Sequence, residues 1–212
     1  MEVLLRNAGF ILRGFGLNCV LVAIAIPLAL PLGCALALAR LSRVRVLYLA
    51  ATAYVNVLRS SPLLMVMFWL YFLAPLVLGR QTGAFYSAAI ALTLFEAAYF
   101  AEIIRGGIQS VEAGQARAAL AAGLRPWQAA AYVVVPQAVQ RMLPALATQS
   151  IVAFQDTTLA SVIGVLEVAQ TANVIMSREG NPVALYSMLA ALYLVVCYTL
   201  SLGVRRLERR AV

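Results

Sequence analysis

Residues 14–39 read GFGLNCVLVAIAIPLALPLGCALALA, 26 positions without one charged side chain. About 20 apolar residues in a helix suffice to cross the hydrocarbon core of a bilayer. This stretch is therefore a membrane-spanning helix, kinked where Pro27 and Pro31 each remove a backbone donor. It is too long for the apolar core of a signal peptide, and no small-residue cleavage site follows it, so it reads as a retained helix.

The rest of the chain has the same character. Hydrophobic residues make up 64% of the 212 and charged ones 11%, with a mean hydropathy of +0.92. A soluble domain has about a quarter of its residues charged. The apolar excess needs lipid to cover it, and the composition predicts an all-α integral membrane protein with a single bundle domain over 1–212.

Further spans are expected at 46–78, with a break near Arg59–Pro62, at 84–108, at 142–166 and at 183–204. With the first at 14–39 they make five transmembrane helices. Residues 79–83 read as a turn and 167–182 as a polar connection outside the bilayer. The segment 109–137 is alanine-rich, less apolar and punctuated by Gly114, Gly123, Pro126 and Pro136. It reads as a loop outside the membrane. No internal repeat is visible.

All 16 basic residues are arginines, and histidine is absent. Without lysine a Walker A phosphate loop is closed to this chain. Without histidine, Ser-His and Cys-His nucleophile pairs are closed, as are common metal sites. No catalytic residue, metal site or cofactor of its own is expected. The net charge of +8 does not point to nucleic acid, because the arginines lie between apolar runs. Eleven arginines flank the first loop, the long loop and the C-terminal tail, against four on the opposite side. The positive-inside rule then puts the N-terminus outside, in the periplasm if the cell is Gram-negative, and the C-terminus in the cytoplasm. Cys19, Cys34 and Cys197, scattered in apolar runs, read as small core residues.

The long loop is the most informative segment. Residues 115–122 suit a helix of about 12 Å, ended by Gly123 as a C-terminal glycine. Pro126 suits the first turn of a second short helix, closed near Pro136. Small alanine side chains let a partner's backbone approach. An ordinary surface hairpin fits the composition equally well.

Residues 114–124, GQARAALAAGL, followed by VPQA at 135–138 and LP at 143–144, resemble the EAA loop of ABC-importer permeases. The resemblance extends over nearly the whole chain. YVNVLRSSPL at 54–63, FEAAYFAEIIRGGIQS at 95–110 and FQDTTL at 154–159 are similar to the signatures of polar amino-acid permeases, glutamate/aspartate importers above all. It implies the type I importer (MetI-like) bundle, ATP-driven amino-acid import, and a coupling helix that docks on an ATPase. Glu112, Gly114, Gln115, Arg117, Ala118, Ala119, Gly123, Leu124 and Pro136 are the implied coupling residues. Arg117 departs from the pattern, standing where the family has glutamate. The implied partners are a cytoplasmic ABC ATPase dimer that binds ATP and Mg, a sister or identical permease, and a periplasmic amino-acid-binding protein.

Polar groups at membrane depth are costly and usually face a cavity or one another. Arg59, Glu96, Tyr99, Gln155, Asp156, Thr157 and Thr158 are the candidate substrate-pathway residues. Arg59 reads as a partner of Asp156 or of a substrate carboxylate. Glu96 reads as a ligand for a substrate ammonium group or a gate residue, or else as a hydrogen-bond partner of Tyr99 or a neighbouring helix. Glu102 and Arg105 have the spacing of an intrahelical pair. The residues alone leave open an ion-coupled carrier using Glu96 and Asp156, or a non-transporting helical scaffold.

Overall fold

The computed structural model describes residues 2–80 and 82–211; Gln81, in the expected turn, lies outside them. The chain runs through α1 (Glu2–Arg6), α2 (Ala8–Leu41), α3 (Arg45–Ser60), α4 (Leu63–Phe68) and α5 (Ala74–Leu78). It continues with α6 (Ala84–Gln109), α7 (Ala113–Ala121), α8 (Pro126–Ala129), α9 (Val135–Asp156), α10 (Val168–Glu179) and α11 (Pro182–Ala211).

The first expected span lies inside α2, whose 34 residues reach about 51 Å. Pro27 and Pro31 lie within this helix without ending it. Its buried stripe is Gly14, Asn18, Leu21, Ala25, Ala29, Gly33 and Ala37, mostly small residues about one turn apart. Small residues let helix backbones close up in lipid; here Leu21 to Ala37 meet α6, while Gly14 meets α10. A Cβ on Gly33 would sit 2.8 Å from Phe100 Cβ and 3.0 Å from the Ala97 carbonyl. The large side chains Leu28, Leu30 and Leu38 point outward. Cys19 and Cys34 do as well, and Cys197 is half-buried, so the expectation that the cysteines are core residues is corrected. Thiols this small and apolar sit as well against lipid as inside the bundle.

Helix α6 is the centre of the bundle, packed by α2, α3, α4 and α9. Its alanines 88, 91, 97, 98 and 101 are fully buried, which is what allows several helices to approach it. Because α2 and α6 run parallel, their C-terminal ends lie together, at the end of the bundle where α7 begins.

Proline chemistry sets the breaks. Between α3 and α4 the chain bends by 107° at Ser61–Pro62, where Ser61 is extended (φ −99°, ψ 141°), as a residue before proline must be. Two π-helical turns, Trp69–Leu73 and Ala130–Val134, each come just before a proline, Pro75 and Pro136. The proline ring would clash with the carbonyl four residues back, at Tyr71 and Tyr132. A widened turn there relieves that clash.

The second loop helix was expected to be short and closed at Pro136. Instead α8, the π turn, α9 and a 3-10 segment (Thr157–Ile163) form one continuous rod, because the π turn absorbs the proline. The rod ends at Gly164 (φ 89°), and α10 follows at 47° to it. Among the described residues three helices alone are long and apolar enough to span a membrane, and up to five spans result when each bent pair counts as one. The polar connection at 167–182 is mostly the helix α10, and α11 extends past the expected end at 204.

Candidate functional site

The exposed α7 is the first part of the site. Ala119 is its one buried residue. At 100° per residue, Arg117 lies on the face opposite Ala119, so that face points away from the bundle. Glu112, Gly114, Gln115, Arg117 and Ala118 are all exposed, and Leu124 is half-buried. Glu112 occupies the position before the helix without capping it by its side chain. The helix ends as a Schellman turn: Leu124 N–H donates to the Ala119 carbonyl (3.2 Å) and Gly123 N–H to Leu120 (3.0 Å). Gly123 has φ +89°, a backbone that residues with a Cβ rarely adopt. The helix packs back on the π turn 130–134. Pro136 stands beyond that turn, on the rod. The exposed Leu120, Trp127 and Tyr132 give this end of the molecule an apolar surface.

Just inside α7 lies a charged hub. Glu102 on α6 is paired with Arg40 of α2 and Arg105 of α6, while Arg59 of α3 stands 3.7 Å away. Arg59 also rests over the Tyr99 ring, 5.4 Å from its centroid, a cation–π contact. The expected Glu102–Arg105 pair is present. The expected Arg59–Asp156 pair is not: α3 ends beside the last turns of α6, whereas Asp156 lies at the far end of α9, and Arg59 turns to Glu102. Arg141 donates to the Ser110 carbonyl, tying the rod to the end of α6. Nearby, a Cβ on Gly107 would lie 2.7 Å from Met142 Cβ.

Deeper in the bundle Glu96 is fully buried. Gln149 of α9 donates to its Oε2 at 3.0 Å, and its Oε1 has no hydrogen-bond partner among the described residues. Of the two roles read from the sequence, this arrangement matches the bond to a neighbouring helix. Tyr99 instead stacks against Phe95, with ring centroids 5.1 Å apart.

At the opposite end from α7, the two Nδ2 hydrogens of Asn18 on α2 are shared among three oxygens, Thr157 Oγ1 (2.8 Å), Glu167 Oε2 (3.0 Å) and Tyr193 Oη (3.1 Å). Its own oxygen accepts from Val168 N–H at 3.0 Å. Glu167 in turn caps α10, accepting from Ala169 and Gln170 N–H at 3.0 and 2.8 Å. A Cβ on Gly14 would lie 2.5 Å from Thr171 Oγ1, so α10 sits tight against α2.

The four polar residues 155–158 therefore do not act as one group, because the change from α9 to a 3-10 turn fans them out. Thr157 points inward to Asn18, Gln155 is exposed and reaches Cys197 Sγ at 3.4 Å, and Thr158 folds back on the Gln155 carbonyl at 2.7 Å. Asn18, Arg40, Gln149, Glu167 and Tyr193 belong to these networks and were missed as site residues. Asn18 had a signal, being the one amide in a 26-residue uncharged run.

Residues 29–212 match the family described as binding-protein-dependent transport system inner membrane component. The glutamate/aspartate import permease protein GltK of Escherichia coli is 39% identical over 95% of this chain and 93% of its own length. The probable glutamine ABC transporter permease protein GlnP of Bacillus subtilis is 37% identical over 97% and 95%. A crystal structure of an amino acid ABC transporter with histidines contains a chain of the same fold. It superposes with a TM-score of 0.93 at 32% identity, over 98% of this chain and 96% of that one. An inward-facing methionine ABC transporter shares the fold at a TM-score of 0.74 and 20% identity, over 100% and 97%. On these matches the chain belongs to the family of binding-protein-dependent transport system inner membrane components.

Proposed function

We propose that this chain is the membrane-spanning permease subunit of an ATP-driven importer for polar amino acids, with glutamate and aspartate as its substrates. The acidic assignment rests on the likeness to GltK. The observation that carries the coupling reading is α7. It is an exposed helix with Ala119 as its one buried residue, stopped by a left-handed glycine. Such a rigid projection suits insertion into a groove of another protein.

In this reading α7 docks on a cytoplasmic ABC ATPase dimer that binds ATP and Mg, with Glu112, Gly114, Gln115, Arg117, Ala118, Gly123, Leu124 and Pro136 shaping the contact and the buried Ala119 seating the helix on the bundle. The N-terminus lies outside and the C-terminus inside. A sister or identical permease completes the pathway, and a periplasmic binding protein delivers the substrate. ATP-driven closure of the ATPase moves α7, and the bundle opens outward; hydrolysis resets it. Arg59, Tyr99 and Asp156 are the pathway residues best placed to meet substrate, being half-buried or exposed. Gln155 and Thr158 border Asp156, while Glu96 and Thr157 support the pathway from the interior.

Cysteine crosslinking in co-expressed complexes tests the docking. Ala118→Cys is expected to crosslink to the ATPase subunit and Ala119→Cys is not. Equal crosslinking at both positions, or none at either, contradicts the reading.

A further inference from the structure

Glu102 lies two turns before the end of α6, where that helix gives way to the segment carrying α7. Three arginines from three helices converge on its carboxylate. Arg40 is in the last turn of α2. Arg59 is in the last turn of α3, directly before the 107° bend. Arg105 is one turn further along α6 itself.

One negative charge faces three positive ones, so the carboxylate is what allows the guanidinium groups to gather. Like charges at this range repel, and more strongly where protein and lipid exclude water. The Arg40 side chain is only 11% exposed, so its charge is poorly screened; that of Arg59 is 40% exposed. The contacts are graded in the same order. Arg40 and Arg105 are in direct hydrogen-bonded contact with Glu102, whereas Arg59 stays at 3.7 Å with its charge spread over Tyr99. Arg59 is thus the contact that can be released at least cost. A groove of about 350 Å³, lined by Glu102, Gly106, Ser110, Arg141 and Met142, runs beside the hub, while Arg141 and the close Gly107–Met142 contact hold the end of α6 to the rod.

We propose that Glu102 is a positioning residue that ties the last turns of α2 and α3 to α6 as one body, so that displacement of α7 is delivered to all three helices, with Arg59 as the releasable contact. This inference rests on the coupling role of α7. Without the clamp, α7 still docks and the ATPase still turns over, but the stroke is lost between α6 and its neighbours.

The test is ATP hydrolysed per amino acid transported, measured in liposomes holding the complete complex. Glu102→Gln keeps the shape and removes the charge. It is expected to raise that ratio at least about fivefold, the lower end of ordinary coupling free energies, with assembly intact and the Ala118→Cys crosslink to the ATPase retained. Arg59→Gln, which leaves the two direct pairs in place, is expected to raise the ratio in the same direction. Either variant, assembled and crosslinking normally, with the wild-type ratio would overturn the clamp. If Glu102→Gln does not assemble, Arg105→Gln, which removes a direct Glu102 partner outside the pathway set, decides instead, a raised ratio supporting the clamp and the wild-type ratio overturning it. Loss of the crosslink in the otherwise unaltered chain would instead sink the docking of α7, a separate failure.

Discussion

Gln149 on α9 donates a hydrogen bond of 3.0 Å to the Glu96 carboxylate on α6, and Glu96 has no exposed surface at all. A buried acceptor that loses its donor costs about 1–3 kcal/mol. Gln149→Leu should therefore destabilise the detergent-solubilised protein by about that amount. Glu96→Leu combined with Gln149→Leu should cost less than the two single changes added, by roughly 0.5–3 kcal/mol. Thermal unfolding of the four proteins measures the difference, and strict additivity would show that the pair does not interact.

Asn18 serves four groups at once, namely Thr157, Glu167, Tyr193 and the Val168 amide. Asn18→Leu leaves the Glu167 carboxylate and a backbone donor short of partners, and each such group costs about 1–3 kcal/mol. The damage should be local. Hydrogen exchange is expected to rise over 168–179 while 113–121 keeps its wild-type rate. Gly14→Val, whose Cβ would meet Val168 Cα at 3.0 Å, should loosen the same helix. An increase confined to α7 would contradict this.

Gly123 and Gly106 make a contrast. Both have open space where a Cβ would go, but Gly123 alone of the two has a left-handed backbone, at φ +89°. Gly123→Val carries a penalty of about 1–2 kcal/mol and disturbs the end of α7. ATP-driven uptake should fall while the protein still inserts. Gly106→Ala should transport normally. Equal uptake by the two variants would remove the glycine turn from the account.

Gly33→Leu tests the α2–α6 contact. Its Cβ meets the Ala97 carbonyl at 3.0 Å and Phe100 Cβ at 2.8 Å, and overpacking of this kind costs about 1–3 kcal/mol. Gly16→Leu, on the same helix with nothing within 4 Å, should unfold at the wild-type temperature. The difference in melting temperature between the two is the readout.

The spans and the breaks were legible because they depend on local chemistry. An uncharged run such as 14–39 has few alternatives, and Pro62 bends the chain wherever it stands. The continuity of the rod through Pro136 was not legible. It depends on a π turn that forms only because the flanking segments are already helical and packed. The polar networks were half legible. The spacing of Glu102 and Arg105 declared their pair, but Arg40 was counted as a loop charge, since nothing in the sequence places the end of α2 beside α6. Asp156 and Arg59 were matched by charge alone, and their helices carry them to different neighbours. Glu167 looked like part of a solvated connection, yet it is buried as the cap of α10.

The central claim is that this chain moves substrate only when an ATPase drives it through α7. The direct test is glutamate accumulation in liposomes holding the permease, its ATPase and its binding protein, with and without ATP, and again with the ATPase left out. The account predicts accumulation against the gradient with ATP and none without the ATPase. Accumulation that persists without the ATPase, driven by a proton or sodium gradient, would contradict it.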